Sequence, residues 1–124
     1  MDKYNLGIVG GMTVTELFSG SEGNMSGSGA GTITLNDDVS NYKFLVFDLI
    51  VGFNDTIRYF SKIISCPHFL EFLDSNSNNK KASFGFIWGY PPSTDFFNLL
   101  YTSTLKTIDF NCLNSKCVRI LGIN

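Results

Sequence analysis

The chain has 124 residues, 44% hydrophobic and 15% aromatic, with only 16% charged and a formal net charge of -2. That length holds one domain with a buried core, and the scattered Lys and Arg residues form no basic patch, which argues against nucleic acid as a partner. No apolar run reaches the ~20 residues of a membrane span, and three cysteines with the single His68 make no zinc pattern, so no membrane insertion, metal or cofactor is expected.

Residues 1–11 carry little pattern; Leu6 to Val9 reads as a brief strand weakened by its glycines. An acidic second residue and no apolar h-region argue against a secretory signal, and the odd cysteine count then favours reduced thiols. Met12 to Phe18 alternates Val14 and Phe18 against Thr13, Thr15 and Leu17, as a strand does. Ser19 to Gly31, SGSEGNMSGSGAG, has little to bury and reads as a flexible linker or long loop. Its GSGAG lacks the Lys-Ser/Thr of a phosphate loop and precedes a strand, so nucleotide binding is set aside. Residues 1–30 thus form an expected N-terminal arm, and 31–124 the folded domain.

Thr32 to Leu35 is a short alternating strand, Asn36 to Asn41 a polar break, and Tyr42 to Val51 a longer strand. This second strand is apolar on both faces: Leu45, Phe47, Leu49 and Val51 on one, and Tyr42, Phe44, Val46 and Ile50 on the other, with Asp48 its only charge. Gly52 to Asp55 is a turn by composition. Thr56 to Ser65 alternates Ile57, Tyr59 and Ile63 against Arg58, Phe60 and Lys62, and pairs with the preceding strand as a hairpin. Pro67 ends it. Phe69 to Asp74 fits helix or strand equally, and Ser75 to Lys81 is a polar loop. Ser83 to Tyr90 sets Phe84, Phe86, Trp88 and Tyr90 on one face and small residues on the other. Thr94 to Ser103 is again apolar on both faces. Thr104 to Phe110 and Cys117 to Ile123 bracket the polar stretch Asn111 to Lys116 and read as a last hairpin, across which the spacing of Cys112 and Cys117 permits a disulfide.

About eight strands with polar turns and no long helix predict an all-β fold, an antiparallel β-sandwich of jelly-roll-like kind. A strand apolar on both faces needs cover on both. Unless loops or the N-terminal arm supply it, the spare face of Tyr42, Phe44 and Val46 and of Phe97, Leu99 and Tyr101 is expected to meet other copies of the chain.

Several segments resemble a domain of bacteriophage tail and head fibre proteins. They are Leu17-Phe18-Ser19-Gly20-Ser21, a Gly-rich spacer, Gly31-Thr32-Ile33-Thr34-Leu35, the run Asp38-Val39-Ser40-Asn41-Tyr42-Lys43-Phe44-Leu45-Val46, then Leu105-Lys106-Thr107-Ile108 and Val118-Arg119-Ile120-Leu121-Gly122-Ile123. The family commonly reads LWSGS, GTITLS and ISNYDFLIV; here Phe18 stands for its Trp, and Thr56 to Tyr90 matches little in it. The resemblance implies a β-sandwich, usually a trimer, in a virion appendage that contacts other capsid or tail proteins, with host-surface saccharide bound by some members. With no long shaft ahead of the domain, the expectation is a non-enzymatic head fibre or decoration protein; the alternative is a carbohydrate-binding receptor module of a tail fibre.

No catalytic constellation stands out. Asp37 and Asp38 are adjacent and read as a turn, nothing selects Asp48, Asp55, Glu71 or Asp95 as a paired acid and base, and Cys66 with His68 lacks an activating partner. Trp88, Tyr90 and, more weakly, Tyr59 are candidates for stacking on a sugar ring, against the plainer alternative of core or intersubunit packing.

Overall fold

The computed structural model describes residues 5–9, 11–53, 56–66, 81–88, 93–100 and 106–124. They form seven strands: β1 (Asn5–Val9), β2 (Met12–Thr34), β3 (Phe44–Phe53), β4 (Thr56–Ser65), β5 (Lys81–Trp88), β6 (Ser93–Leu100) and β7 (Thr107–Ile123). Among the described residues every strand pairing is antiparallel, so they form a mostly antiparallel β-structure, in line with the all-β expectation.

The long β2–β7 ribbon organises the sheet. It is paired from Val14 with Ile123 to Thr34 with Thr107. On its other side β7 changes partner halfway: residues 115–123 pair with β3, and residues 109–113 with β6. β1 flanks β2, β4 flanks β3, and β5 flanks β6. At one end of the ribbon Thr13 and Asn124 exchange backbone hydrogen bonds of 2.9 and 3.0 Å.

A straight strand of the length of β2, 23 residues, would span roughly 75 Å. Yet the Asn36 N–H donates to the Leu17 carbonyl at 2.7 Å, and the Asn36 amide donates to the Glu16 carbonyl at 3.1 Å. β2 is therefore bent back until its end meets its own beginning. The bending falls at three register shifts between residues 16 and 28, since bulges turn a strand and raise its twist. Gly23 and Gly27 there have φ of 140° and 149°. The Asn24 side chain accepts from Ser26 N and donates to the Ser28 carbonyl, both at 2.9 Å, which closes a local turn. On β7, Asn114 lies opposite this region with φ of 51°, a left-handed conformation that Asn tolerates better than most residues.

The bend brings the two halves of the sheet over one core. Leu17, Phe47 and Ile120 come from one half and Ile33, Phe97 and Phe110 from the other, all in a single buried cluster. The rings of Phe97 and Phe110 stack with centroids 4.9 Å apart. In β3, Leu45, Phe47, Leu49 and Val51 are the buried face, as the period-2 pattern dictates.

The β3–β4 hairpin forms as expected, in register from Phe44 with Ser65 to Phe53 with Thr56. Two stretches differ from expectation. Ser19 to Gly31, read as linker or loop, lies within β2 and pairs with β7 at Ser19, Glu22 to Asn24 and Ser28 to Gly31; β2 crosses residue 30, the expected edge of the arm, without a break, and Leu17 is fully buried. The polar stretch Asn111 to Lys116 is not a hairpin turn but the middle of β7. It stays extended because its polar groups find partners in place: Asn98 Nδ2 donates to Asn111 Oδ1 at 2.8 Å, Asn114 Nδ2 to Asp95 Oδ1 at 3.0 Å, and Ser115 Oγ to the Phe96 carbonyl at 2.7 Å. No hairpin then faces Cys112 with Cys117. Five positions apart on one strand, they are separated by about 15 Å of extended chain, beyond the ~7 Å a disulfide bridges. All three cysteines are free and buried. The turn residues Asn54 and Asp55, Pro67 and His68, Phe69 to Asp74, the loop 75–80, Gly89 to Pro92 and Tyr101 to Leu105 lie outside the described residues.

Candidate functional site

Asp37, Asp38, Asp48, Asp95 and Asp109 are drawn into structural bonds. Asp38 caps the short 3-10 turn Val39–Asn41, accepting from Ser40 N at 2.9 Å and Ser40 Oγ at 2.6 Å. Asp37 accepts from Tyr42 OH at 2.8 Å, Asp38 N at 2.8 Å and Asn41 Nδ2 at 3.1 Å. The Tyr42 bond is the main reason that its carboxyl is held below its ordinary value of 3.8. Asp95 is buried and receives Asn114. Burial pushes the Cys66 thiol up to about 11 and Cys117 to about 12, which makes both poor nucleophiles. Among the described residues no group of three His, Cys, Asp or Glu side chains is placed to hold a metal ion, and no buried side-chain polar atom lacks a partner.

What stands out is an outer sheet face. Ile57, Tyr59 and Ile63 of β4 are 56%, 75% and 68% exposed, and Phe44 of β3 is 42% exposed. Register places them on one surface: Ile63 opposite Val46, Tyr59 opposite Ile50, and Ile57 opposite Gly52. Across β3 the same surface continues to β7, with Phe44 opposite Ile123 and Val46 opposite Leu121. It reaches β2, where Val14 is opposite Ile123 and Met12, on the same side of the strand, is 44% exposed. The exposed large hydrophobic side chains Met12, Phe44, Ile57, Tyr59 and Ile63 therefore share one face. Its polar centre is internally matched. Arg119 Nε meets Asp48 Oδ2 at 2.9 Å and Ser61 Oγ donates to Asp48 Oδ1 at 2.6 Å, a row across β7, β3 and β4.

An alternating strand ordinarily turns its apolar set inward. β4 does the reverse, with Ile57, Tyr59 and Ile63 outside and Phe60 and Ile64 packed against the core. Lys62, on the inward side with them, holds its ammonium 5.6 Å from the Phe60 ring centroid.

Of the residues expected at an interface between copies, Phe44 and Val46 lie on this outer face. Tyr42 does not: its ring packs against the core and over Gly122, where an added Cβ would come within 2.5 Å of it. Strand β3 begins only at Phe44, so the alternation does not extend back to Tyr42. Phe97 and Leu99 are 0% and 1% exposed, inside the core of their own chain, because the bend of the ribbon lays the other half of the sheet over them. Tyr101 lies outside the described residues. Of the expected stacking residues, Tyr59 is open on the outer face. Trp88 ends β5 with its backbone opposite Ser93, on a strand that does not pair with β4, and Tyr90 lies outside the described residues. The outer positions of Ile57 and Ile63 were visible as an alternating set in the sequence; which side they take depends on what β4 packs against, which the pattern does not carry.

No protein-family model matches this sequence, and a search of curated proteins finds no match to it.

Proposed function

We propose that the chain is a non-enzymatic structural protein of a bacteriophage virion, an oligomeric fibre or capsid decoration protein, with the trimer as its expected state. The observation that supports this reading is where the resembling segments fall. The Leu17 to Ser21 and Gly31 to Leu35 segments lie on β2 or at its end, Phe44 to Val46 on β3, and Val118 to Ile123 on β7, and these three strands are neighbours in one sheet. Pieces far apart in sequence thus build one contiguous unit, as expected if the likeness reflects a shared fold. The same reading takes the bent sheet as a jelly-roll-like sandwich of about eight strands; the single core enclosed between its two halves supports that. Mass spectrometry of density-purified phage particles from the source culture tests the role. Peptides of this chain at stoichiometric abundance are the expected result, and their absence from intact particles rejects it.

The alternative, a module that binds host-surface saccharide, is favoured by one observation: the 75% exposure of Tyr59 on the outer face, open to stack on a sugar. Glycan-array binding lost in Tyr59→Ala is its expected signature.

A further inference from the structure

We infer that the outer face built by Phe44, Ile57, Tyr59 and Ile63 is the contact through which one copy of this chain meets another. The inference rests on the oligomeric part of the reading above and names its surface.

Three features of the face select a second copy as the occupant. The first is area. The exposed fractions of these four side chains amount to on the order of 500 Å² of largely apolar surface, near the upper end of what a monomer leaves open. A partner that covers it and contributes a comparable patch buries roughly 1,000 Å² before the rim is counted, the threshold for a specific interface. Further copies supply such patches by construction: in a trimer the three faces meet around one axis, each covered by its two neighbours.

The second is charge. The Asp48 carboxylate at the centre of the face is already matched by Arg119 and Ser61, and on its β7 and β2 side Lys116, opposite Ile50, and Glu16, opposite Leu121, add one charge of each sign, so the face carries no net charge to attract a polyanion or an acidic or basic peptide. A partner that is itself apolar there, with its own matched pair, meets no unpaired charge.

The third is the edge beside it. β4 ends the described strand path, and a bare edge invites strand addition. Arg58 and Lys62 alternate along it on the inward side, the arrangement that discourages edge-to-edge pairing. Association is steered away from the edge and onto the face, where two sheets pack ~10 Å apart.

The test is sedimentation of the full chain at micromolar concentration, wild type beside Tyr59→Asp, Ile63→Asp and the double variant. Both residues are exposed in the single chain, so each substitution is expected to leave the far-UV spectrum nearly unchanged. The expected result is an assembled wild type and a double variant whose association is weakened roughly thirtyfold or more. A second probe is Ile63→Cys, whose maleimide labelling is expected to be slow in the assembled protein and to quicken on dilution; the native thiols are buried. If wild type and variants assemble equally, the inference is overturned while the oligomeric reading stands. If the wild type is a monomer, both fall, and rapid Ile63→Cys labelling then shows an open face, slow labelling one covered by the chain itself. Glycan binding by such a monomer through Tyr59 would give the face to saccharide instead.

Discussion

At Gly23 two constraints meet. Its φ of 140° disfavours any side chain, and a Cβ there would run into the Ser115 carbonyl oxygen and lie 2.7 Å from Lys116 Cα. Gly23→Ala is expected to cost about 3 kcal/mol, strain and overpacking together. Gly11, with φ of 82° but open space around it, is the control; its alanine is expected to cost only about 1 kcal/mol. Urea titrations of the two variants make the comparison. Asp37 sets a pH dependence. Its folded carboxyl sits below the ordinary 3.8, chiefly through the Tyr42 hydroxyl. A depressed carboxyl supports the fold above its unfolded value and loses that support as pH falls through the folded one. The melting temperature is therefore expected to drop as pH is lowered below about 4, and to drop less steeply in Tyr42→Phe. Equal slopes in the two proteins would refute the assignment.

At the scale of elements, the bend in the β2–β7 ribbon decides the architecture. Asn114 serves it twice, by its φ of 51° and by its bond to the buried Asp95. Asn114→Ala loses both and is expected to destabilise by about 2 kcal/mol; Asn114→Gly keeps the backbone freedom and is expected to cost less, as thermal melts of the two variants would show. These elements were unevenly legible in the sequence. The β3–β4 hairpin announced itself, because a long apolar strand, a turn by composition and the alternating set Ile57 to Ile63 follow one another. The middle of β2 did not. Between residues 19 and 31 it is exposed or half-buried throughout and is held by backbone bonds to β7, which leave no hydrophobic period to read. The middle of β7 was hidden for the opposite reason: Asn111, Asn114 and Ser115 look like a turn, and partners from β6, distant in sequence, take up their polar side chains within the strand. The outer face was half legible, its membership visible in the alternation of β4 and its direction set by tertiary packing.

For the whole molecule, one core closed by both halves of a bent sheet predicts a single cooperative unit. Leu17, near the start of β2, is buried as fully as Ile33 near its end. Leu17→Ala and Ile33→Ala are each expected to cost 2–5 kcal/mol, and each to lower one shared unfolding midpoint, followed by tryptophan fluorescence and circular dichroism together. Two separate transitions, or a silent Leu17→Ala, would contradict a common core. The backbone exchange between Thr13 and Asn124, with Asn5 opposite Thr15 on β1, has a practical corollary. Asn124 leaves the sheet beside the turn that joins β1 to β2, where Val9 lies opposite Met12. Cargo grafted after it would crowd that turn and leave the bend of the ribbon, around Asn24 and Asn114, unobstructed.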